Sequence, residues 1–184
     1  MSTNIGFIVG SLRQDSNNLR TAQAFEKLLP ENVEATFIEI GDLPFYNEDL
    51  EVTGKVPESW MRFRKEIAKM DGFFFFTPEY NRSIPAALKN ALDVGSRPYG
   101  ESNWDSKPAA VISVAPRGIA GFGANHALRQ SLVFLNMPVL QQPEAYIGNF
   151  DSLLNEDGTF VEDTKNFFRI IIDKYFDFFN KLTK

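Results

Sequence analysis

Five short apolar runs punctuate the chain, and most are separated by stretches whose apolar residues recur at helical spacing. Ile5–Val9 (IGFIV) is an unbroken apolar run closed by Gly10, the pattern of a strand buried on both faces. Leu19, Ala22, Phe25, Leu28 and Leu29 follow at helical intervals until Pro30 stops them. Ala35–Ile40 reads as a second strand, and Leu43–Pro57 as a loop. Trp60, Phe63, Ile67 and Met70 mark the next helix, and Phe73–Phe76 is a third strand stopped by Thr77-Pro78. Pro85–Val94 predicts a helix, with proline in the first turn where no N–H is needed. Ala109–Ala115 predicts the fourth strand and Asn125–Asn136 a helix carrying Leu128, Leu132 and Leu135. The fifth strand is expected at Val139–Gln142, directly after Pro138. A long helix follows from Val161 to the end, with Phe168, Ile171, Ile172, Tyr175, Phe179 and Leu182 on one stripe.

Strands alternating with helices predict an α/β fold, a parallel sheet covered by helices on both faces. Five strands fit the order 2-1-3-4-5 better than a six-stranded dinucleotide-binding sheet. With no internal repeat, linker or low-complexity tract, residues 1–184 are expected to form one domain. In such sheets ligands bind beyond the carboxyl ends of the strands, where the strand order reverses, here between strands 1 and 3. That directs attention to the loops at 10–18, 77–83 and 115–124.

Composition narrows the chemistry. The 184 residues are 43% apolar and 23% charged, with a net charge of −5. This is ordinary for a soluble globular protein and argues against a nucleic-acid partner, which needs a clustered basic surface. The chain has no cysteine and a single histidine, His126. Thiolate chemistry, iron–sulfur clusters and Cys- or His-rich metal sites are excluded, so redox chemistry would need an organic cofactor. No window approaches the roughly 20 apolar residues of a membrane span, and the first residues do not resemble a signal peptide. A cytoplasmic protein without a membrane partner is expected.

The first of the three loops reads Gly10-Ser-Leu-Arg-Gln-Asp-Ser-Asn-Asn18. Between a buried strand and a helix start, it suits an anion: free N–H groups and the positive helix end favour a phosphate there. Ser11, Ser16 and Asn18 add donors, and Arg13 adds a charged fork. Ser16, Asn17 and Asn18 could equally cap the helix, but a cap has no use for Arg13. The spacing is neither a P-loop nor G-x-G-x-x-G. The second loop, Thr77-Pro-Glu-Tyr-Asn-Arg-Ser83, offers an exposed tyrosine and turn amides suited to a planar ring. His126 reads as a cap or surface group.

Taken together, Gly10-Ser-x-Arg-x-x-Ser-x-Asn18 and Pro78-Glu-Tyr-Asn81 resemble the NADPH-dependent FMN reductases, which have a flavodoxin-like, three-layer α/β/α fold. The likeness includes Ser83–Asp93, Ser96-Arg97 and Leu128-Arg-Gln-x-Leu132, and is greatest to the bacterial quinone and chromate reductases and related azoreductases. The resemblance implies FMN as cofactor and NADPH or NADH as co-substrate. Ser11, Arg13, Ser16 and Asn18 would hold the phosphate, with Asn17 beside them. Pro78, Glu79, Tyr80 and Asn81 would line the isoalloxazine, largely through main-chain groups, with Glu79 shaping the loop. Ser113, Arg117 and Gly118 are further cofactor positions, and Arg82 and Arg117 are the candidates for a nicotinamide 2′-phosphate. The resemblance also implies a ping-pong cycle without an essential acid–base side chain, a small acceptor (quinone, azo compound, free flavin or chromate-type anion), and a homodimer or homotetramer. The chain departs from the family pattern at Ala86, Gly95 and Pro116. Two rivals remain at this point: an electron-carrying flavodoxin, whose phosphate loop usually lacks the arginine, and a flavodoxin-like interaction module without cofactor.

Overall fold

The computed structural model describes residues 2–116 and 118–183. Five parallel strands, β1 (Thr3–Val9), β2 (Val33–Phe37), β3 (Gly72–Thr77), β4 (Ala109–Val114) and β5 (Ala145–Ile147), pair in the order β2-β1-β3-β4-β5. All six residues of β3 and of β4 are buried, because helices cover both faces of the sheet. The alternation within Phe73–Phe76 then divides the core. Phe74 and Phe76 pack with Phe7 under α1 (Asn17–Glu26) and α6 (Glu162–Leu182). Phe73 and Phe75 pack with Trp60, Trp104 and Leu128 under α3 (Glu58–Ala68), α4 (Ala86–Gly95) and α5 (Phe122–Phe134). The result is the flavodoxin-like three-layer sandwich with the expected strand order.

Most boundaries differ from the periodicity by one to three residues, but four differences have identifiable causes. Val139 makes only an isolated bridge to Ala109, with Leu140 N donating to Ala109 O at 2.9 Å. The polar pair Gln141-Gln142 and donor-less Pro143 then interrupt the ladder, and the fifth strand is Ala145–Ile147 instead of Val139–Gln142. Strand β2 ends at Phe37, since only Ile38 N still reaches β1, at Phe7 O. The segment 43–57 contains a short helix, α2 (Glu48–Val52), started by the Asn47 side chain accepting from Asp49 N. Helix α5 begins three residues early for a reason given below.

Gly95 now has a physical explanation. A Cβ there would lie 2.5 Å from Trp104 Nε1 and 2.7 Å from Ile67 Cδ1, and Trp104 is fully buried with its indole donating to Leu92 O. At this departure from the family pattern the space above Gly95 is filled by a tryptophan from the next loop. On α6 the expected stripe is buried from Phe168 to Phe179, whereas Leu182 is exposed in the last turn.

Candidate functional site

The first loop leaves β1 at Gly10, whose N donates to Phe76 O at 2.8 Å, so its root is fixed to β3. Ser16 is the N-cap of α1: its backbone is extended and its buried Oγ accepts from Leu19 N at 2.9 Å. The capping alternative is therefore realised at Ser16, though its hydroxyl keeps a proton to donate. No acidic residue occupies the first turn of α1. The Asn17 and Asn18 amides stand in that turn, where no intrahelical acceptor exists, at the positive end of the helix. Asn18 is buried, and its Nδ2 donates across the sheet top to Val114 O at 3.3 Å. Its Oδ1 is buried with no partner among the described residues. An acceptor so placed costs free energy until a donor reaches it, which makes it a contact point for a ligand hydroxyl or water.

Ser11 is half-buried and Arg13 exposed. Both line a crevice of about 440 Å³ with Leu12, Gln14 and, from the end of β2, Phe37, Glu39 and Gly41. Arg13 pairs with no carboxylate among the described residues.

The second loop closes on itself. Tyr80 N donates to Ser83 O and Ser83 N to Tyr80 O, at 3.0 and 2.9 Å, around Asn81 (φ 50°) and Arg82 (φ 66°). Two successive left-handed residues give the tight turn of a two-residue hairpin. Tyr80 projects into solvent, 53% exposed. Across from this turn, the third loop follows β4. A cavity of about 500 Å³ separates the two, walled by Glu79, Asn81 and Arg82 on one side and by Ala115, Pro116 and Gly118–Gly121 on the other. Pro78 and Tyr80 belong to the turn but not to this wall. Arg117 lies outside the described residues. Ser113 is fully buried, and its hydroxyl donates to Ala120 O at 2.8 Å, so the side chain pins the third loop from beneath.

Glu79 ties the two walls together. Its Oε2 accepts from Ala124 N at 3.1 Å, in the first turn of α5, while its Oε1 accepts from Arg82 Nη1 at 3.0 Å. Helix α5 starts at Phe122 because this carboxylate, 45 residues away in sequence, supplies a cap that Gly121 cannot.

Two further groups were not apparent from the sequence. Buried Asn125 donates through Nδ2 to Val111 O, Ser113 Oγ and Ala145 O, and accepts from Arg129 Nε at 2.8 Å; Arg129 Nη1 reaches Leu140 O. This pair knits β4, β5 and α5 together. Its sequence signal is a polar residue on the apolar stripe of a helix. Beside the cavity, Phe122, His126 and Tyr146 form an aromatic shelf, with His126 Nε2 2.9 Å from Tyr146 Oη. Burial, then a hydrogen bond with Glu144, pushes the Tyr146 hydroxyl up to about 12. His126 is an exposed surface group, as expected.

The three loops thus meet beyond β1, β3 and β4, where the strand order reverses. Residues 3–152 match the family described as NADPH-dependent FMN reductase. The chain belongs to this family. It is 53% identical over 171 residues to a quinone reductase of Pseudomonas putida, covering 93% of this chain and 91% of that protein. It is 40% identical to a 2-hydroxy-1,4-benzoquinone reductase of Burkholderia sp, covering 95% of each. Among solved structures, FerB of Paracoccus denitrificans, a flavoenzyme NAD(P)H:(acceptor) oxidoreductase, superposes with a TM-score of 0.91 at 37% identity, covering 97% of this chain and 98% of that one. The protein is accordingly an FMN-dependent oxidoreductase using NAD(P)H, which sets the carrier and cofactor-free alternatives aside. The open helix end at Asn17–Asn18, the unpartnered Asn18 oxygen and the crevice lined by Ser11, Arg13 and Leu19 fit a phosphorylated flavin. No helix is long and apolar enough to cross a membrane, and no cluster of metal-ligating side chains occurs among the described residues.

Proposed function

We propose that the chain is a one-domain, cytoplasmic NAD(P)H:quinone reductase working by a ping-pong cycle. The phosphate of FMN is held by Ser11, Arg13, Ser16, Asn17 and Asn18: Arg13 supplies charge, and the first-turn amides and hydroxyls supply directed donors. The Asn18 oxygen accepts from a hydroxyl of the cofactor. The turn Pro78–Asn81 and the loop containing Gly118 border the ring, with Ser113 fixing that loop from below. The bound flavin supplies the hydride-accepting centre, and the protein supplies orientation and electrostatics.

One cavity serves both substrates in succession. If donor and acceptor share this one cavity, the nicotinamide departs before the acceptor enters. The wall residues Ala115, Pro116, Ile119 and Ala120 are apolar, which favours a flat organic acceptor over a chromate-type anion, and the names of the relatives support a quinone. Arg82, 69% exposed and paired on one side with Glu79, is a charge available to a 2′-phosphate, with Arg117 the other candidate. Val133 and Phe134 on α5 are 73% and 85% exposed, and covering them is the role of a second copy in a homodimer or homotetramer.

The observation that carries the proposal is the buried, unpartnered Asn18 oxygen at an open helix start. Titrating cofactor-free protein with FMN and with riboflavin tests it. FMN is expected to bind one per chain and at least about a hundredfold tighter, the equivalent of two charge-assisted hydrogen bonds. Equal affinities would remove the phosphate from the site. Initial rates at varied NADPH and quinone are expected to give parallel double-reciprocal lines; intersecting lines would replace ping-pong by a ternary complex.

A further inference from the structure

Helix α5 starts without a cap of its own. Its N-cap, Gly121, is left-handed (φ 77°) and carries no side chain, yet the Ala124 amide is satisfied by Glu79. The side chain of Glu79 is only 12% exposed, whereas Arg82, which pairs with its other oxygen, is 69% exposed. The approach between turn and helix is close. A Cβ on Gly123 would lie 2.9 Å from Arg82 O and 3.0 Å from Glu79 Oε2, so only glycine lets the helix start sit on the turn. Both carboxylate oxygens are engaged, one by the helix and one by the guanidinium, which leaves Glu79 unsuited to proton transfer. The same three residues, Glu79, Arg82 and Gly121, line the 500 Å³ cavity.

We infer that Glu79 is the positioning residue of this cavity: its carboxylate clamps the turn after β3 to the N-terminus of α5, fixing the separation of the two walls, and it sets a shielded negative charge in the wall. The inference builds on the FMN site proposed above. The clamp acts through geometry and through charge, and the two can be separated. Geometry holds the third loop against the second, so losing it loosens the cavity before any ligand arrives. Charge opposes the arrival of electrons on a ring bound there, offset in part by Arg82 and the helix end.

Two variants resolve these roles. Glu79→Ala removes clamp and charge. Glu79→Gln keeps an oxygen able to accept from Ala124 N and removes the charge together with the acceptor facing Arg82. Hydrogen exchange on cofactor-free protein is expected to accelerate roughly tenfold at residues 119–124 in Glu79→Ala, the size of a lost helix cap, and to stay within about twofold in Glu79→Gln. FMN affinity is expected to follow the same order, falling about tenfold in the alanine variant alone. The midpoint potential of bound FMN is expected to rise in Glu79→Gln although its exchange and affinity are unchanged, a shift that a purely structural residue does not produce. Thermal melts establish that both variants fold. Unchanged exchange at 119–124 in Glu79→Ala, or faster exchange with unaltered FMN affinity, would overturn the clamp; an unmoved potential in Glu79→Gln would overturn the charge role. Because exchange is read without cofactor, failure of the wild-type protein to bind FMN would refute the proposed site and leave the clamp testable.

Discussion

The amino-terminal end of the sheet closes its polar groups on one another, whereas the carboxyl-terminal end leaves them available. Below the strands, fully buried Tyr175 donates to Pro108 O at 3.1 Å, and Lys107 Nζ donates to Ile67 O and Ala68 O at the end of α3. Asn4 N donates to Asp71 at 2.8 Å. Even the left-handed residues there, Ser106 and Asn136, bond to each other, Ser106 N donating to Asn136 O. Above the strands, Asn18 keeps an unpartnered oxygen, and Leu12, Tyr80, Ile119 and Phe122 are all more than half exposed. Asn81, Arg82, Ala120 and Gly121 hold left-handed conformations around an open cavity. One end of the sheet is organised for stability and the other for a ligand, so substitutions at the two ends are expected to separate in what they change.

The largest effect belongs to the closed region. Phe74 is fully buried against Phe7, Phe25 and Tyr175, and Phe74→Ala is expected to cost about 3–5 kcal/mol by denaturant unfolding. A loss below about 1 kcal/mol would erase the contrast. Next is Tyr175→Phe, which leaves Pro108 O without its donor and is expected to cost about 1–2 kcal/mol. Burial raises the Tyr175 hydroxyl, and Tyr146 is raised to about 12. An unfolded tyrosine loses its proton near 10. The folded chain therefore holds protons that the unfolded chain releases, and this contribution is complete below about pH 10 and lost as the pH rises beyond it. Urea midpoints taken from pH 9 upward are expected to fall, and less steeply in Tyr175→Phe.

At the open end the pattern reverses. Asn18→Leu removes the bond to Val114 O together with the unpartnered oxygen, and stability is expected to change by about 1 kcal/mol or less. FMN affinity is nonetheless expected to fall at least about tenfold, or roughly 1.4 kcal/mol. Smallest is Arg82→Gly. It relieves a left-handed arginine and loses a pair whose arginine is mostly exposed, and is expected to stabilise the fold by no more than about 0.5–1 kcal/mol. A destabilisation above 1 kcal/mol would mean that the turn belongs to the closed region.

The same division decides how much the sequence reveals. The run Phe73–Phe76 can only be a strand covered on both faces, and the alternation around it determines layers and strand order. Gly10–Asn18 and the turn at Pro78–Asn81 were visible because their residues are contiguous. What escaped was long-range. Val139-Leu140 has the composition of a strand, but its continuation depends on Pro143 and on a partner edge that no local window contains. Local periodicity places the start of α5 at Asn125, three residues late, because its cap is Glu79, supplied from another loop. The packing of Trp104 against Gly95, and the isolation of the Asn18 oxygen, likewise exist only once the layers have packed.

The most direct test of the whole account is an anaerobic stopped-flow experiment on FMN-loaded protein. NADPH alone, in equimolar amount, is expected to bleach the flavin absorbance completely, and a quinone added afterwards is expected to restore it fully. Bleaching that requires the quinone to be present, or no bleaching with either nicotinamide, would contradict a single cavity used in turn by donor and acceptor.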